Sequence, residues 1–410
     1  MKYFLKLIVL TLCSSIILGT AITSKAMAIK TEASTKLRIA TFNVSMEALN
    51  YVERSSNGIA KVTGNELTQA LQKNSQQNSQ QIRNIAEIIQ RINPDIILLN
   101  EFDRVNNNNE NIRYFINQYL ASEQNGQTSI DYPYFYQGSV NTGVKVNGDL
   151  NNDGKSNQQP SDTHGFGYFE GHFGMVLLSK YPINEKEIRT FQKFKWQDMP
   201  NALKPIDPET NQPWFSDEVW QELRLSSKSH WDVPINVNGQ TIHILASHPT
   251  PPVFDGPENR NGNRNHDEIR FWFDYINGKQ AHYIYDDKGN KGGLPPHQAF
   301  VILGDQNASS VEGDAINSGI EALLTSDKLQ DPRPASLGGE LHRDKNENAK
   351  FHTAYWGMRA DYVLPSTIGF TIKDSGVFWP QKNDETYRLI KNRQASSDHR
   401  LVWVDLDLTK

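Results

Sequence analysis

Apolar and polar residues along the chain follow two periods, one near two and one near 3.6. Leu37 to Val44 alternates as a strand that ends close to Asn43. Ile82, Ile85, Ala86, Ile89 and Ile92 keep helical spacing, and Asn93-Pro94-Asp95 stops the helix. Ile96 to Leu99 is a short all-apolar run that reads as a buried strand and delivers Asn100 and Glu101 at its end. Further strands are expected over 173–179, 242–248, 300–305, 360–364 and 401–406, with helices over 267–276 and 311–324. These strands and helices interleave without a clean linker or an internal repeat, which predicts one α/β domain. The polar stretch 50–80 reads as an insertion, and 137–165, 196–230 and 250–265 read as rim loops.

The N-terminus changes the picture of where this domain works. Lys2 and Lys6 precede a mostly apolar run from Leu7 to Ile22, and Ala26-Met27-Ala28 offers small residues for signal peptidase. This predicts a signal peptide over 1–28, a single domain over 29–410, a secreted or periplasmic location and no stable membrane anchor after cleavage. Cleavage removes Cys13, the only cysteine, which excludes disulfides, thiol nucleophiles and cysteine-based zinc sites. It also removes Lys2, Lys6 and Lys25 from a chain of 42 basic and 47 acidic residues, leaving a net charge near −8. Such a balance carries no broad basic footprint for long nucleic acids.

Candidate chemistry sits where strands end. Asn43, Glu101, His248 and Asp305 each fall at or near the end of an apolar strand, so one sheet edge gathers polar groups over a rigid floor. Glu101 and Asp305 are hard oxygen donors suited to Mg²⁺ or Mn²⁺. Asp305 and Asn307, two residues apart on extended backbone, project the same way. Ser397-Asp398-His399 adds a carboxylate and an imidazole just before the last strand. Taken singly, each residue also fits a turn or a structural role; the ordered combination does not.

That ordered combination resembles the endonuclease/exonuclease/phosphatase superfamily, which includes pancreatic-type deoxyribonucleases, repair nucleases, neutral sphingomyelinases and inositol polyphosphate 5-phosphatases. The resemblance runs through Ala40-Thr41-Phe42-Asn43, Pro94 to Glu101, Gly174 to Ser179, Ala246-Ser247-His248-Pro249, Gly304-Asp305-Gln306-Asn307, Arg359-Ala360-Asp361-Tyr362 and Ser397-Asp398-His399. It implies a four-layer α/β sandwich, two packed mixed β-sheets flanked by helices. It also implies a metal held by Asn43, Glu101 and Asp398, and a water oriented by Asp305. Asn307 would meet the scissile phosphate, while His248 and His399, the latter paired with Asp361, would stabilise charge on it. His248 stands where the repair nucleases carry tyrosine, which places the chain nearer the deoxyribonuclease and sphingomyelinase side.

Two features depart from the resemblance. Two residues after the metal-binding Glu, where pancreatic-type nucleases carry a groove-reading Arg, this chain has Asp103, which is expected to repel a duplex. Lys228, His230 and Arg264 are candidate replacement contacts to substrate. Asp149, Asn151 and Asp153 before Gly154 resemble the start of a Ca²⁺ loop, although position 12 is Pro160. The expected activity is hydrolysis of phosphate esters, diesters foremost, in which nucleic acid enters only as substrate. A secreted nuclease and a non-catalytic binding protein on the same fold are the alternatives.

Overall fold

The alternating segments form two sheets that face each other. The structure is a computed structural model, and it describes residues 35–409 apart from 53, 56, 57, 60, 61, 73–79 and 107. The proposed signal peptide over 1–28 lies outside the described residues. The first sheet contains β1 (Thr35–Met46), β2 (Ile96–Phe102), β3 (Tyr134–Tyr136), β4 (Met175–Ser179), β10 (Phe370–Val377) and β11 (Val402–Leu408), ordered β10-β11-β1-β2-β4-β3. The second contains β5 (Arg189–Thr190), β6 (His230–Val237), β7 (Gln240–Ser247), β8 (Ala299–Asp305) and β9 (Asp361–Pro365), ordered β9-β8-β7-β6-β5. Only β1–β2 and β7–β8 pair in parallel, so both sheets are mixed.

Side chains from both inner faces build the main core. Leu37 and Ile39 from β1 share it with Trp231, Val233, Ile244 and Leu303 from the second sheet. The period of two is visible on β8: Val301 and Leu303 point into this core, while Phe300 and Ile302 point out to a second one. Helix α1 (Gln80–Ile92) covers the first sheet with Ile82, Ile85, Ala86 and Ile89. Helix α2 (Arg260–Ile276) packs Ile269, Trp272 and Tyr275 into the second core. Helix, sheet, sheet and helix make the four layers expected.

Three segments differ from the sequence reading. Helix α2 starts at Arg260 rather than near Asp267, because the inward face of its first turns is polar and docks on loop backbone instead of a sheet. Helix α3 (Asn317–Leu324) is shorter than the apolar spacing from Val311 suggests. Strand β6 runs through Pro234, a residue that masked it in the sequence, and 224–231, at the end of an expected rim loop, is largely buried. No helix among the described residues is long and apolar enough to cross a membrane.

Candidate active site

Parallel pairing sets the site. In β1 and β2, Asn43 lies beside Asn100, one residue before Glu101, and across the antiparallel β8–β9 pair Asp305 lies directly opposite Asp361. The two sheets are joined at this end by polar contacts. Asn43 Nδ2 donates to Asp305 Oδ2 at 3.1 Å, and the Asp305 N–H donates to Asn100 Oδ1 at 3.3 Å.

Asp305 is the convergence point. Its Oδ2 also receives His248 Nε2 at 3.4 Å and His399 Nε2 at 3.5 Å, and its Oδ1 accepts the Asn307 N–H at 2.9 Å. Burial by itself would raise this carboxyl. The charge of His399 and the hydrogen bonds from His248 and the Asn43 amide outweigh burial and hold Asp305 ionised, well below the usual carboxylate range. Two carboxylates facing each other across strands repel, and the cation between them is His399. His399 Nδ1 donates to Asp361 Oδ2 at 2.9 Å. The Thr353 hydroxyl accepts the Ala360 and Asp361 N–H groups and donates to the same oxygen at 2.7 Å, which fixes the Asp361 rotamer. Burial would lower the His399 pKa, but the charges of Asp361 and Asp305 raise it to about 10, so the shared proton sits on the imidazole. His248 is the opposite case: burial, with the nearby charge of Lys228, lowers its pKa and keeps it neutral. The two histidines therefore present different charge states to one carboxylate.

The expected metal ligands differ in how firmly they are held. Glu101 adopts a left-handed backbone (φ 56°), a strained conformation for a non-glycine residue. Its carboxylate forms no hydrogen bond or ion pair among the described residues. Ser45 links the other two: its N–H donates to Asn43 Oδ1 at 3.2 Å and its hydroxyl to Asp398 Oδ1 at 3.3 Å. Asp398 Oδ2 is held by Arg393 at 3.0 Å. Glu101, the Asn43 amide oxygen and Asp398 would together be an all-oxygen donor set, the kind that suits Mg²⁺ or Mn²⁺. Asp305, Asp361 and His399 are the one group of three potential ligands within metal-binding reach of each other among the described residues. Both ring nitrogens of His399 face carboxylates, Nδ1 toward Asp361 and Nε2 toward Asp305.

The substrate candidates separate. Lys228 is buried, its ammonium without a hydrogen bond or salt bridge among the described residues, near Glu268, Glu101 and Asp305. Arg264 turns away: Nε donates to the Leu225 carbonyl, and Nη2 to the carbonyls of Arg224 and His164. His230 is also internal, its Nδ1 on Ser226 Oγ at 2.6 Å and its Nε2 on the Glu268 carbonyl at 2.8 Å. Both are scaffold in this structure, not contacts in the cleft. Helix α2 explains why: Glu268 accepts the Ser227 and Thr250 N–H groups, and Asn265 donates to the Thr250 and Gln306 carbonyls. One helix thus ties down the loops that carry Lys228, His248 and Asn307.

Asp103 requires a correction. It is fully buried and accepts the Ala48 and Phe173 N–H groups at 2.7 and 2.9 Å, so it does not face substrate, and burial raises its pKa. Arg104, the next residue, lies on the surface side. In the candidate Ca²⁺ loop, the Asp149 carboxylate accepts the Asp153 and Gly154 N–H groups, while Asn151 Oδ1 has no partner. Neither Thr353, Ser45 nor Trp356 was legible as a site residue. Trp356 sits edge-on to His399, ring centroids 4.8 Å apart, and is 43% exposed.

Residues 40–399 match the Endonuclease/Exonuclease/phosphatase family. Among solved structures, an endonuclease/exonuclease/phosphatase from Beutenbergia cavernae DSM 12333 is 17% identical over 91% of this chain and 72% of its own, with a TM-score of 0.47. A family protein from Leptotrichia buccalis C-1013-b is 14% identical over 91% and 100%, with a TM-score of 0.44. The human nocturnin catalytic domain with bound sulfate is 10% identical over 91% and 95%, also with a TM-score of 0.44. A search of curated proteins gives no match. With its motifs matched across most of its length, the chain belongs to the Endonuclease/Exonuclease/phosphatase family and is a metal-dependent phosphoric ester hydrolase.

Proposed function

We propose that this protein is an exported phosphodiesterase that cleaves its substrate by in-line attack of water, with Mg²⁺ or Mn²⁺ held by Glu101, Asn43 and Asp398. The observation that carries the reading is the convergence of Asn43, His248 and His399 on one oxygen of Asp305. An ionised carboxylate fixed at this point accepts a proton from water and orients it toward phosphorus. The cationic His399, kept charged by Asp361, meets the negative charge that grows on the phosphoryl oxygens, and Lys228 adds a second cation. Neutral His248 donates a hydrogen bond from the other side. Asn307, whose Nδ2 donates to the Pro249 carbonyl at 3.1 Å, steadies the phosphate-facing loop. Held by Glu101, Asn43 and Asp398, such an ion would supply Lewis-acid polarisation of a phosphoryl oxygen.

A secreted nuclease is the second reading, and the interior position of Asp103 favours it by removing the charge expected to repel a strand. The test is purified protein with Mg²⁺ or Mn²⁺ against plasmid, single-stranded oligonucleotide, sphingomyelin and bis(p-nitrophenyl) phosphate. Metal-dependent cleavage of at least one diester supports the reading, and no cleavage of any of them contradicts it. Intact mass of the exported protein tests the leader: a chain beginning at Ile29 supports export and release, and one retaining Met1 to Ala28 contradicts it.

A further inference from the structure

The sandwich is open along one side. Its two sheets end there in the short edge strands β3 and β5, and residues of both line a trough of about 480 Å³ between them. That volume suits a small-molecule site, and the hydrolytic chemistry does not use it. Strand β3 brings three aromatic rings to the trough. Tyr136 is held edge-on to the buried Trp231, ring centroids 5.0 Å apart, and Phe135 lies under the Arg113 guanidinium at 4.8 Å. Tyr134 is 38% exposed.

Two amides line the same trough, each with a polar atom buried and unmatched. Gln137 directly follows β3 and is 5% exposed, yet its Nε2 has no hydrogen-bond partner among the described residues. Asn109 Oδ1 is likewise buried without a partner. Asn109 precedes the short helix Glu110–Phe115, where an Asn side chain ordinarily bonds to the first turn, and here it makes no such bond. Native proteins leave few buried polar atoms unsatisfied, because each gives up its hydrogen bonds to water without return. The terminal torsion of an amide side chain is soft, so both groups can turn toward a molecule in the trough while the backbone stays in place.

One unmatched donor and one unmatched acceptor define the chemistry of the missing partner. A hydroxyl answers both, since it accepts from Gln137 and donates to Asn109. The charged residues of the lining, Arg113 and Lys288 against Glu185, are exposed and of mixed sign, and Lys288 Nζ already donates to the Ile188 carbonyl at 3.3 Å. They select neither an anion nor a cation. A molecule that lays C–H groups on aromatic faces and turns hydroxyls to planar amides is a sugar.

We propose that this trough is a binding site for a neutral saccharide, with the exposed ring of Tyr134 as its platform and Gln137 and Asn109 as its hydroxyl contacts. The site stands apart from the hydrolytic reading, because none of these residues belongs to the cluster around Asp305.

The experiment is calorimetry of maltotriose, cellotriose and triacetylchitotriose binding to the full chain and its Q137L and Y134A variants, beside turnover of bis(p-nitrophenyl) phosphate. At least one trisaccharide is expected to bind with a dissociation constant on the order of 1 mM or below, and the three probes separate linkage from acetamido substitution. Q137L and Y134A should each weaken that binding by about tenfold or more and leave diester turnover unchanged. Q137L should keep or raise the melting temperature, since it removes a buried donor that has no partner. Y134A, at an exposed position, gives the same answer without touching the interior. No binding of any of the three probes, or binding undiminished in both variants, overturns the site.

Discussion

Asp361→Asn isolates what the Asp–His pair contributes. The amide keeps the size of the side chain and an acceptor for the Thr353 hydroxyl, and it removes one negative charge 2.9 Å from His399 Nδ1. Two unit charges at about 4 Å interact by about 4 kcal/mol at an effective dielectric of 20. One pH unit corresponds to 1.36 kcal/mol, so the loss lowers the His399 pKa by about 2–3 from its position near 10. Asp305, at 3.5 Å from the other ring nitrogen, remains and limits the fall. The basic limb of kcat/KM against pH, where His399 loses its proton, should move down by that amount. Activity near pH 6 should be far better preserved than activity near pH 9. The assay is diester hydrolysis from pH 6 to 10 at saturating metal. A loss that is the same at every pH, with a raised metal requirement, would show that Asp361 acts on the metal and not through His399.

Asp305→Ala, His248→Ala and His399→Ala should each lower kcat by about 10²-fold or more while the far-ultraviolet circular dichroism stays that of the folded parent; near-normal turnover in two of the three contradicts the site. Arg264→Ala should cost about 2–4 kcal/mol of stability in a denaturant titration, because it removes a buried donor from three carbonyls, and any loss of activity should follow the unfolded fraction. His399 also links stability to pH. Its folded pKa is raised, so its contribution is fully present below the ordinary value near 6.5 and is lost as pH rises through about 10. Melting temperature should fall across that window more in the parent than in His399→Gln.

The sequence reads the floor of the site better than its walls. Asn43, Glu101, His248 and Asp305 were legible because each is tied to a strand end, and strand ends follow from the period of apolar residues, whereas Asp361 came only from the resemblance. Parallel register then brings Asn43 beside Asn100, and cross-strand pairing brings Asp305 opposite Asp361. Arg264, His230 and Asp103 misled because charge in a loop looks the same whether it meets solvent or a backbone carbonyl. Arg264 closes carbonyls contributed from as far away as His164, and Asp103 caps N–H groups of Ala48 and Phe173. Such partners are fixed by tertiary contact and leave no local pattern. Thr353 is similar: its hydroxyl sets the Asp361 rotamer across a turn that no apolar spacing marks.

The central claim is that the freest carboxylate at the strand ends, Glu101, holds the metal on which hydrolysis depends. Its most direct test is a metal titration of diester hydrolysis by the chelator-treated parent and by Glu101→Gln. The account predicts no turnover without added Mg²⁺ or Mn²⁺, restoration in the parent, and a half-activating concentration at least tenfold higher in Glu101→Gln. Turnover that persists in chelator, or an unchanged half-activating concentration in Glu101→Gln, would contradict it.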